Sequence, residues 1–139
     1  MDQIIKSSFE KTERPNGHGT ILVVEDERNM IKLLRRVLER HGYKILTASD
    51  GETAVEIYQH SKEAIDIVLL DLGLPKMTGR EVLRHIKNEN PDAKVVIASG
   101  YLEPELKSEI DRAGVKYFVP KPYRPDEVVQ ALQRLMKES

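Results

Sequence analysis

Residues 65–75 read Ile-Asp-Ile-Val-Leu-Leu-Asp-Leu-Gly-Leu-Pro, an apolar run that ends in an acid and then in turn-forming residues. An apolar run of this length between turn residues predicts a strand that is buried on both faces of a parallel sheet. In open parallel sheets, ligands bind beside the loops that follow the carboxyl ends of the strands. Asp71 is therefore the first candidate for chemistry, and an Asp that merely opens a turn is the alternative.

Short apolar segments alternate with helical stripes from Thr20 to Met136. Five strands that alternate with five helices predict a parallel sheet built from right-handed crossovers. Besides the Asp71 strand, the predicted strands are residues 21–24, 44–48, 94–99 and 117–119, and the helical stripes run through residues 30–38, 54–58, 82–86, 102–110 and 128–136.

The composition of the strands indicates their order in the sheet. Strands one, three and four are apolar throughout, as interior strands are, whereas strands two and five are shorter and mixed, as edge strands are. Pro120 supports an edge position for strand five, because proline cannot donate to a strand ladder. The predicted fold is a flavodoxin-like, doubly wound α/β sheet of order 2-1-3-4-5, with its switch point between strands one and three.

Charge and composition exclude several classes of function. With 22 basic and 23 acidic residues, the chain has no basic surplus for nucleic-acid phosphates. It has no Cys, and therefore neither disulfides nor thiolate metal sites. No apolar run reaches membrane-spanning length and the amino terminus lacks the apolar core of a signal peptide, so we expect a cytoplasmic protein without membrane partners. Residues 1–19 are expected to form a tail or linker before one domain at residues 20–139.

The predicted strand order brings four strand ends to one edge of the sheet. Glu25 and Asp26 follow strand one, Asp71 ends strand three, Ser99 ends strand four and Lys121 follows strand five. Carboxylates 4 Å apart repel by about 4 kcal/mol per pair at an effective dielectric of 20. A hard divalent cation offsets that repulsion, and an oxygen set with open positions suits Mg²⁺.

These groups match what a phosphoryl acceptor needs. An Asp can act as a nucleophile and form an aspartyl phosphate. Mg²⁺ and Lys121 would neutralise the phosphoryl oxygens, Ser99 would donate a hydrogen bond to one of them, and Gly100 would leave room for the group. The ordinary alternatives are Asp26 as a helix cap, Ser99 as a turn hydroxyl and Lys121 as a solvated charge.

Four motifs and one glycine resemble the receiver domain of two-component response regulators. The motifs are Val-Val-Glu-Asp-Glu at 23–27, Asp-Leu-Gly-Leu-Pro at 71–75 with Gly79, Ala-Ser-Gly-Tyr at 98–101 and Lys-Pro-Tyr at 121–123. The resemblance implies a signalling switch of a two-component phosphorelay rather than an enzyme. It implies that Asp71 accepts phosphate from a histidine kinase or a histidine phosphotransfer protein.

The resemblance also implies a role for each residue of the metal site. Asp26 and Asp71 would bind Mg²⁺ directly, Glu25 would act mainly through water, and Gly73 would lend its backbone carbonyl. Glu25 departs from the commoner Asp, which should loosen the water shell of the metal without removing a charge. Gly73 has no side chain to guide or block an attacking water.

Ser99 and Phe118 correspond to the switch residues of that family. Phosphorylation would draw Ser99 toward the phosphate, and Phe118 would fill the space vacated. The face formed by the fourth helix, the fifth strand and the fifth helix would then change its affinity for an unknown downstream protein. A homodimer formed through the same face is an alternative. The Lys121-Pro122 bond is expected to be cis.

Several rival functions meet a specific objection. A phosphohydrolase of haloacid dehalogenase type needs a second Asp two residues after the nucleophile, where this chain has Gly73. A pseudo-receiver that only docks is disfavoured by the intact site. A transcription factor is disfavoured because the sequence stops at Ser139, whereas a receiver from a hybrid sensor kinase stays an alternative to a free-standing regulator.

Overall fold

Five strands alternate with five helices along residues 19–74, 77–100 and 102–138, which are the residues that this computed structural model describes. The strands are β1 (Gly19–Val24), β2 (Tyr43–Ala48), β3 (Ile67–Asp71), β4 (Lys94–Ser99) and β5 (Tyr117–Pro120). The helices are α1 (Arg28–Arg40), α2 (Gly51–Ser61), α3 (Gly79–Glu89), α4 (Pro104–Arg112) and α5 (Pro125–Lys137).

The strands form one parallel sheet in the order β2-β1-β3-β4-β5, which confirms the flavodoxin-like prediction. The predicted edge strands are correct, but the argument from length was wrong for β2, which has six residues like β1 and β4. Alternation marks β2 as an edge strand, because Lys44 is exposed between the buried Tyr43 and Ile45. The strand order reverses between β1 and β3 and creates the switch point there.

Hydrophobic side chains fill both faces of the sheet. Alternation along β1 sends Ile21 and Val23 to the face covered by α1 and α5. Leu22 and Val24 point to the opposite face, which α2, α3 and α4 cover. Each fully buried Val, Leu or Ile contributes about 1.5 to 3 kcal/mol, so the two cores hold the interior strands in place.

Local capping sets where two of the helices begin. At α2, the Asp50 side chain accepts a hydrogen bond from the Thr53 backbone N–H. At α3, Thr78 and Glu81 form a capping box in which each side chain accepts from the other's backbone N–H. Glu27 occupies the N-cap position of α1 and makes no side-chain capping hydrogen bond, so the alternative role of Asp26 as the cap of this helix is wrong.

Two predicted boundaries need correction. The Asp71 strand begins at Ile67 rather than at Ile65, because Asp66 closes a reciprocal pair of hydrogen bonds with Thr20 just before it. Leu102 lies before α4 rather than in it, because Pro104 occupies the first turn of that helix. Among the described residues, no helix is both long and apolar enough to cross a membrane.

Candidate functional site

Three carboxylates meet where β1 and β3 end. Asp71 is the last residue of β3, and Glu25 and Asp26 follow β1. Each offers a carboxylate oxygen that lies within 4.8 Å of the other two. Glu25 and Asp71 are buried, with 0% and 2% of their surface exposed, whereas Asp26 is exposed. The cluster is therefore closed on the protein side and open to solvent at Asp26.

The sheet holds the backbone of this cluster in place. The Glu25 N–H donates to the Ala48 carbonyl at 3.0 Å, which extends the pairing of β1 with β2. The Leu72 N–H donates to the Ala98 carbonyl at 3.2 Å, which extends the pairing of β3 with β4. Groups supported by a rigid sheet are positioned more accurately than groups on loops.

Lys121 brings an ammonium to two of the acids. Its Nζ lies 3.1 Å from Asp71 Oδ2 and 3.5 Å from Glu25 Oε1. Burial works against the charge of Lys121, but hydrogen bonding and attraction to Asp71 outweigh it and raise the pKa of Lys121. The alternative of a purely solvated lysine is wrong, and the Lys121-Pro122 peptide bond is cis, as expected.

The pKa of Glu25 is raised within the cluster, mainly because the side chain is buried. The neighbouring charge of Asp71 raises it further. The Glu27 backbone N–H, which donates to Glu25 Oε2 at 3.1 Å, opposes that rise without cancelling it. An all-oxygen cluster with an excess of negative charge and one open side fits a hard divalent cation such as Mg²⁺.

Tyr123 belongs to this site, although sequence reasoning assigned it no role. Its hydroxyl donates to Glu25 Oε1 at 2.9 Å, and its ring lies 5.6 Å from Lys121 Nζ. Burial raises the pKa of Tyr123, and the charge of Glu25 adds to the effect. The sequence signal was its place two residues after Lys121, but a contact across 98 positions cannot be read from spacing.

Glycines shape the loop after β3. The Gly73 N–H donates to Asp71 Oδ1 at 3.0 Å and orients the carboxylate. A Cβ at Gly79 would lie 2.5 Å from Leu72 Cα and 2.9 Å from the Asp71 carbonyl oxygen. Gly79 therefore allows α3 to begin in contact with the backbone of the Asp71 loop. Pro75 and Tyr101, which are part of the quoted motifs, lie outside the described residues.

The two switch candidates lie beside a cleft at the end of β4. Ser99 ends β4, and Ile97 pairs with Phe118 across the β4–β5 ladder. The cleft has a volume of about 230 Å³ and is lined in part by Ser99, Gly100 and Phe118. A Cβ at Gly100 would meet no atom within 4 Å, so there is free space next to Ser99.

We expect stability to fall as the pH rises above about 10 in metal-free buffer, because the folded state raises the pKa of both Lys121 and Tyr123. Such groups stabilise the fold fully below their ordinary values, 10.5 and 10.0, and lose that contribution as the pH rises through the folded values. Urea unfolding from pH 8 to 11 measures the slope. Tyr123→Phe should reduce the slope but not abolish it, because the pKa of Lys121 and of Tyr43 is also raised. Lys116→Met, at an exposed lysine, should leave the slope unchanged, and equal slopes for all three proteins would contradict the expectation.

The fold and the site together define a flavodoxin-like α/β protein with a cluster of three carboxylates at its switch point. Residues 21–133 match the family described as response regulator receiver domain. The chain belongs to this family and is a receiver domain of two-component response regulators, as the motifs indicated.

Relatives and solved structures agree with the family. The chemotaxis protein CheY of Thermotoga maritima is 33% identical over 118 residues, which cover 84% of this chain and 97% of that protein. The sensor kinase CckA of Brucella abortus is 30% identical over 96% of this chain but only 14% of its own length. A chain of the CheX-CheY-BeF3-Mg²⁺ complex from Borrelia burgdorferi superposes with a TM-score of 0.80 at 31% identity, covering 86% of this chain and 90% of that one.

Proposed function

We propose that this receiver domain is a phosphorylation-dependent switch in which Asp71 accepts a phosphoryl group from a phosphohistidine. The observation that carries the proposal is a buried Asp71 carboxylate held 3.1 Å from the Lys121 ammonium inside an acidic, all-oxygen cluster. The donor would be a histidine kinase or a histidine phosphotransfer protein. CheY in the solved complex was crystallised with BeF3 and Mg²⁺, which supports the same chemistry for this chain.

The chemistry at Asp71 is a single displacement at phosphorus. One carboxylate oxygen forms the new P–O bond while the P–N bond to the donor imidazole breaks, and the imidazole leaves with its electron pair and takes up a proton. Lys121 would stabilise the negative charge on the phosphoryl oxygens in the transition state. The Gly73 N–H would keep the carboxylate oriented through Oδ1. Ser99 would donate a hydrogen bond to one phosphoryl oxygen.

The acidic cluster would hold Mg²⁺ during this transfer. Asp26 and Asp71 would contribute carboxylate oxygens, Gly73 its backbone carbonyl, and Glu25 a contact through water. Bound Mg²⁺ supplies positive charge that neutralises phosphoryl oxygens. The exposure of Asp26 supports this assignment, because Mg²⁺ usually keeps several of its waters.

The protein would act as an acceptor and not as a turnover enzyme. A phosphohydrolase of haloacid dehalogenase type uses an acidic side chain two residues after its nucleophile. Gly73 stands at that position and offers only a backbone N–H to Asp71. Chemistry would therefore be limited to phosphorylation of Asp71 and the loss of that phosphate.

Output would pass through the face formed by α4, β5 and α5. Within Pro104–Arg112, all of which the structure describes, only Ile110 is buried, so α4 is lightly held. Glu109 ties it to α3 by ion pairs with Arg80 and Arg84, and the cleft beside Phe118 gives that ring room to move. Such coupling is typically about 1 to 3 kcal/mol, enough to change the affinity of a downstream protein or a second copy several-fold.

Incubation with acetyl phosphate and Mg²⁺ tests the acceptor. We expect a mass gain of one phosphoryl group that is stable in acid and labile in base, and no gain without Mg²⁺ or in Asp71→Asn. Asp92→Asn is the matched control, because Asp92 is exposed and lies before β4, at the amino ends of the strands, whereas Asp71 lies at their carboxyl ends. Absence of a gain in the wild type, or an equal gain in Asp71→Asn, would refute the proposal.

Beryllium fluoride tests the switch separately, because it imitates a phosphoryl group on a carboxylate without transfer. In amide NMR spectra, we expect beryllium fluoride with Mg²⁺ to shift the signals of Phe118 and of α4. Signals of Tyr43 and Lys44, which pair with Gly19 and Thr20 at the end of the sheet away from the acidic cluster, should stay in place and serve as the internal control. If the signals of Phe118 and α4 shift no more than those of this control pair, the proposed output face is wrong, whereas the proposal that Asp71 accepts phosphate is not affected.

A further inference from the structure

Tyr123 is a core residue whose polar end reaches the acidic pocket. Its ring packs in the hydrophobic core beneath α1 and α5, and the residue is 7% exposed. Its hydroxyl donates to Glu25 Oε1 at 2.9 Å in a buried hydrogen bond. Because the core holds the ring, the hydroxyl is a donor with a fixed position.

Glu25 is held from both sides. Oε1 accepts the Tyr123 hydroxyl, and Oε2 accepts the Glu27 backbone N–H at 3.1 Å. Glutamate has one more rotatable bond than aspartate, so its carboxylate has more orientations to lose on ordering. The two hydrogen bonds therefore select one orientation of the Glu25 carboxylate.

The same hydroxyl bears on the position of Lys121. Lys121 Nζ lies 3.5 Å from Glu25 Oε1, the oxygen that Tyr123 already engages, and 3.1 Å from Asp71 Oδ2. Without the hydroxyl, Glu25 Oε1 would rely on Lys121 for its remaining side-chain partner. The ammonium would then be drawn toward Glu25 and away from Asp71.

We propose that Tyr123 is a positioning residue of the cation site, whose hydroxyl orients Glu25 toward the water shell of Mg²⁺ and leaves Lys121 on Asp71. This inference rests on the proposed function. Groups that orient metal-binding side chains typically contribute 10- to 100-fold in metal affinity. Tyr123→Phe removes one neutral hydrogen bond, so we expect Mg²⁺ affinity to fall about tenfold.

Calorimetric titration of Mg²⁺ without any phosphodonor tests the inference. Tyr43→Phe is the matched control, because its hydroxyl is also buried and has no hydrogen-bond partner within the described residues. We expect affinity to fall in Tyr123→Phe and to stay the same in Tyr43→Phe. Equal affinity in Tyr123→Phe and the wild type would overturn the role of Tyr123 alone. A wild type that binds no Mg²⁺ would overturn the cation site itself.

A double-mutant cycle with Glu25→Asp separates positioning from a general structural effect. The shorter acid withdraws its carboxylate from the hydroxyl by about one bond length, roughly 1.5 Å. Tyr123→Phe should then change the affinity of Glu25→Asp by less than about twofold. An equal loss in both backgrounds would show that Tyr123 acts without Glu25 and would overturn the assignment.

Wild-type NMR provides a test that needs no folded variant. During a Mg²⁺ titration, the ring signals of Tyr123 should shift and those of Tyr43 should not, because the Tyr123 hydroxyl contacts Glu25 and the Tyr43 hydroxyl has no hydrogen-bond partner within the described residues. Ring signals of Tyr123 that stay in place while the Asp71 amide shifts would overturn the inference and leave the cation site intact.

Discussion

Replacement of Lys121 by alanine is expected to slow phosphoryl uptake from acetyl phosphate by about 100-fold or more, the usual cost of losing a preorganised group that stabilises transition-state charge. Lys121 Nζ lies 3.1 Å from Asp71 Oδ2, so its ammonium is in place to stabilise the negative charge of the transition state. Initial rates from intact-protein mass spectrometry at saturating Mg²⁺ measure the effect. Lys121→Arg keeps the charge but replaces a compact ammonium with a planar fork, so an intermediate rate is expected.

Lys116→Ala is the control for the loss of a lysine. Its side chain is 69% exposed and pairs with Glu138, away from the acidic cluster. It should keep the wild-type rate, and a Lys121→Ala protein that matches it would refute the role of Lys121. In Lys121→Ala, Glu25 and Asp71 lose the ammonium that partly neutralises them, so bound Mg²⁺ relieves more repulsion than it does in the wild type. Mg²⁺ should therefore raise the unfolding midpoint of Lys121→Ala more than that of the wild type.

Gly79→Ala is expected to destabilise the fold by about 2 to 3 kcal/mol, because the new Cβ overpacks backbone atoms that cannot move alone. The Cβ would lie 2.5 Å from Leu72 Cα and 2.9 Å from the Asp71 carbonyl oxygen. For a domain of this size the melting temperature should fall by roughly 6 to 10 °C. Thermal unfolding followed by circular dichroism measures the change.

Gly100→Ala is the matched control for that prediction. A Cβ at Gly100 meets no atom within 4 Å, so the same substitution should leave the melting temperature nearly unchanged. Equal shifts for the two variants would mean that the contact at Gly79 relaxes freely. In that case α3 would not depend on glycine for its approach to the Asp71 loop.

Patterns within short stretches were enough to predict the sheet order and the grouping of the strand-end residues. The uninterrupted apolar run of β3 and the alternation of β2 reflect how many faces of each strand are buried. Once the strands are parallel and ordered, their carboxyl ends meet at one edge. Glu25, Asp26 and Asp71 then have to lie together, whatever their separation along the chain.

Boundaries were less predictable, because they depend on partners elsewhere in the chain. β3 begins at Ile67 because Asp66 is occupied by Thr20 of β1. β2 is as long as β1 because it pairs with β1 over its full length, from Tyr43 to Ala48. Neither partner is visible in the composition of the strand itself.

By itself, the sequence determined the fold class, the family and the residue types at the strand ends, because burial patterns and motif spacing are local properties. The tertiary structure alone decided that the Tyr123 hydroxyl meets Glu25 and that Lys121 lies between Glu25 and Asp71. Those contacts depend on how the loop between β5 and α5 packs against β1. Lys121 Nζ lies 3.1 Å from Asp71 Oδ2 and 3.5 Å from Glu25 Oε1, and no spacing rule carries that information.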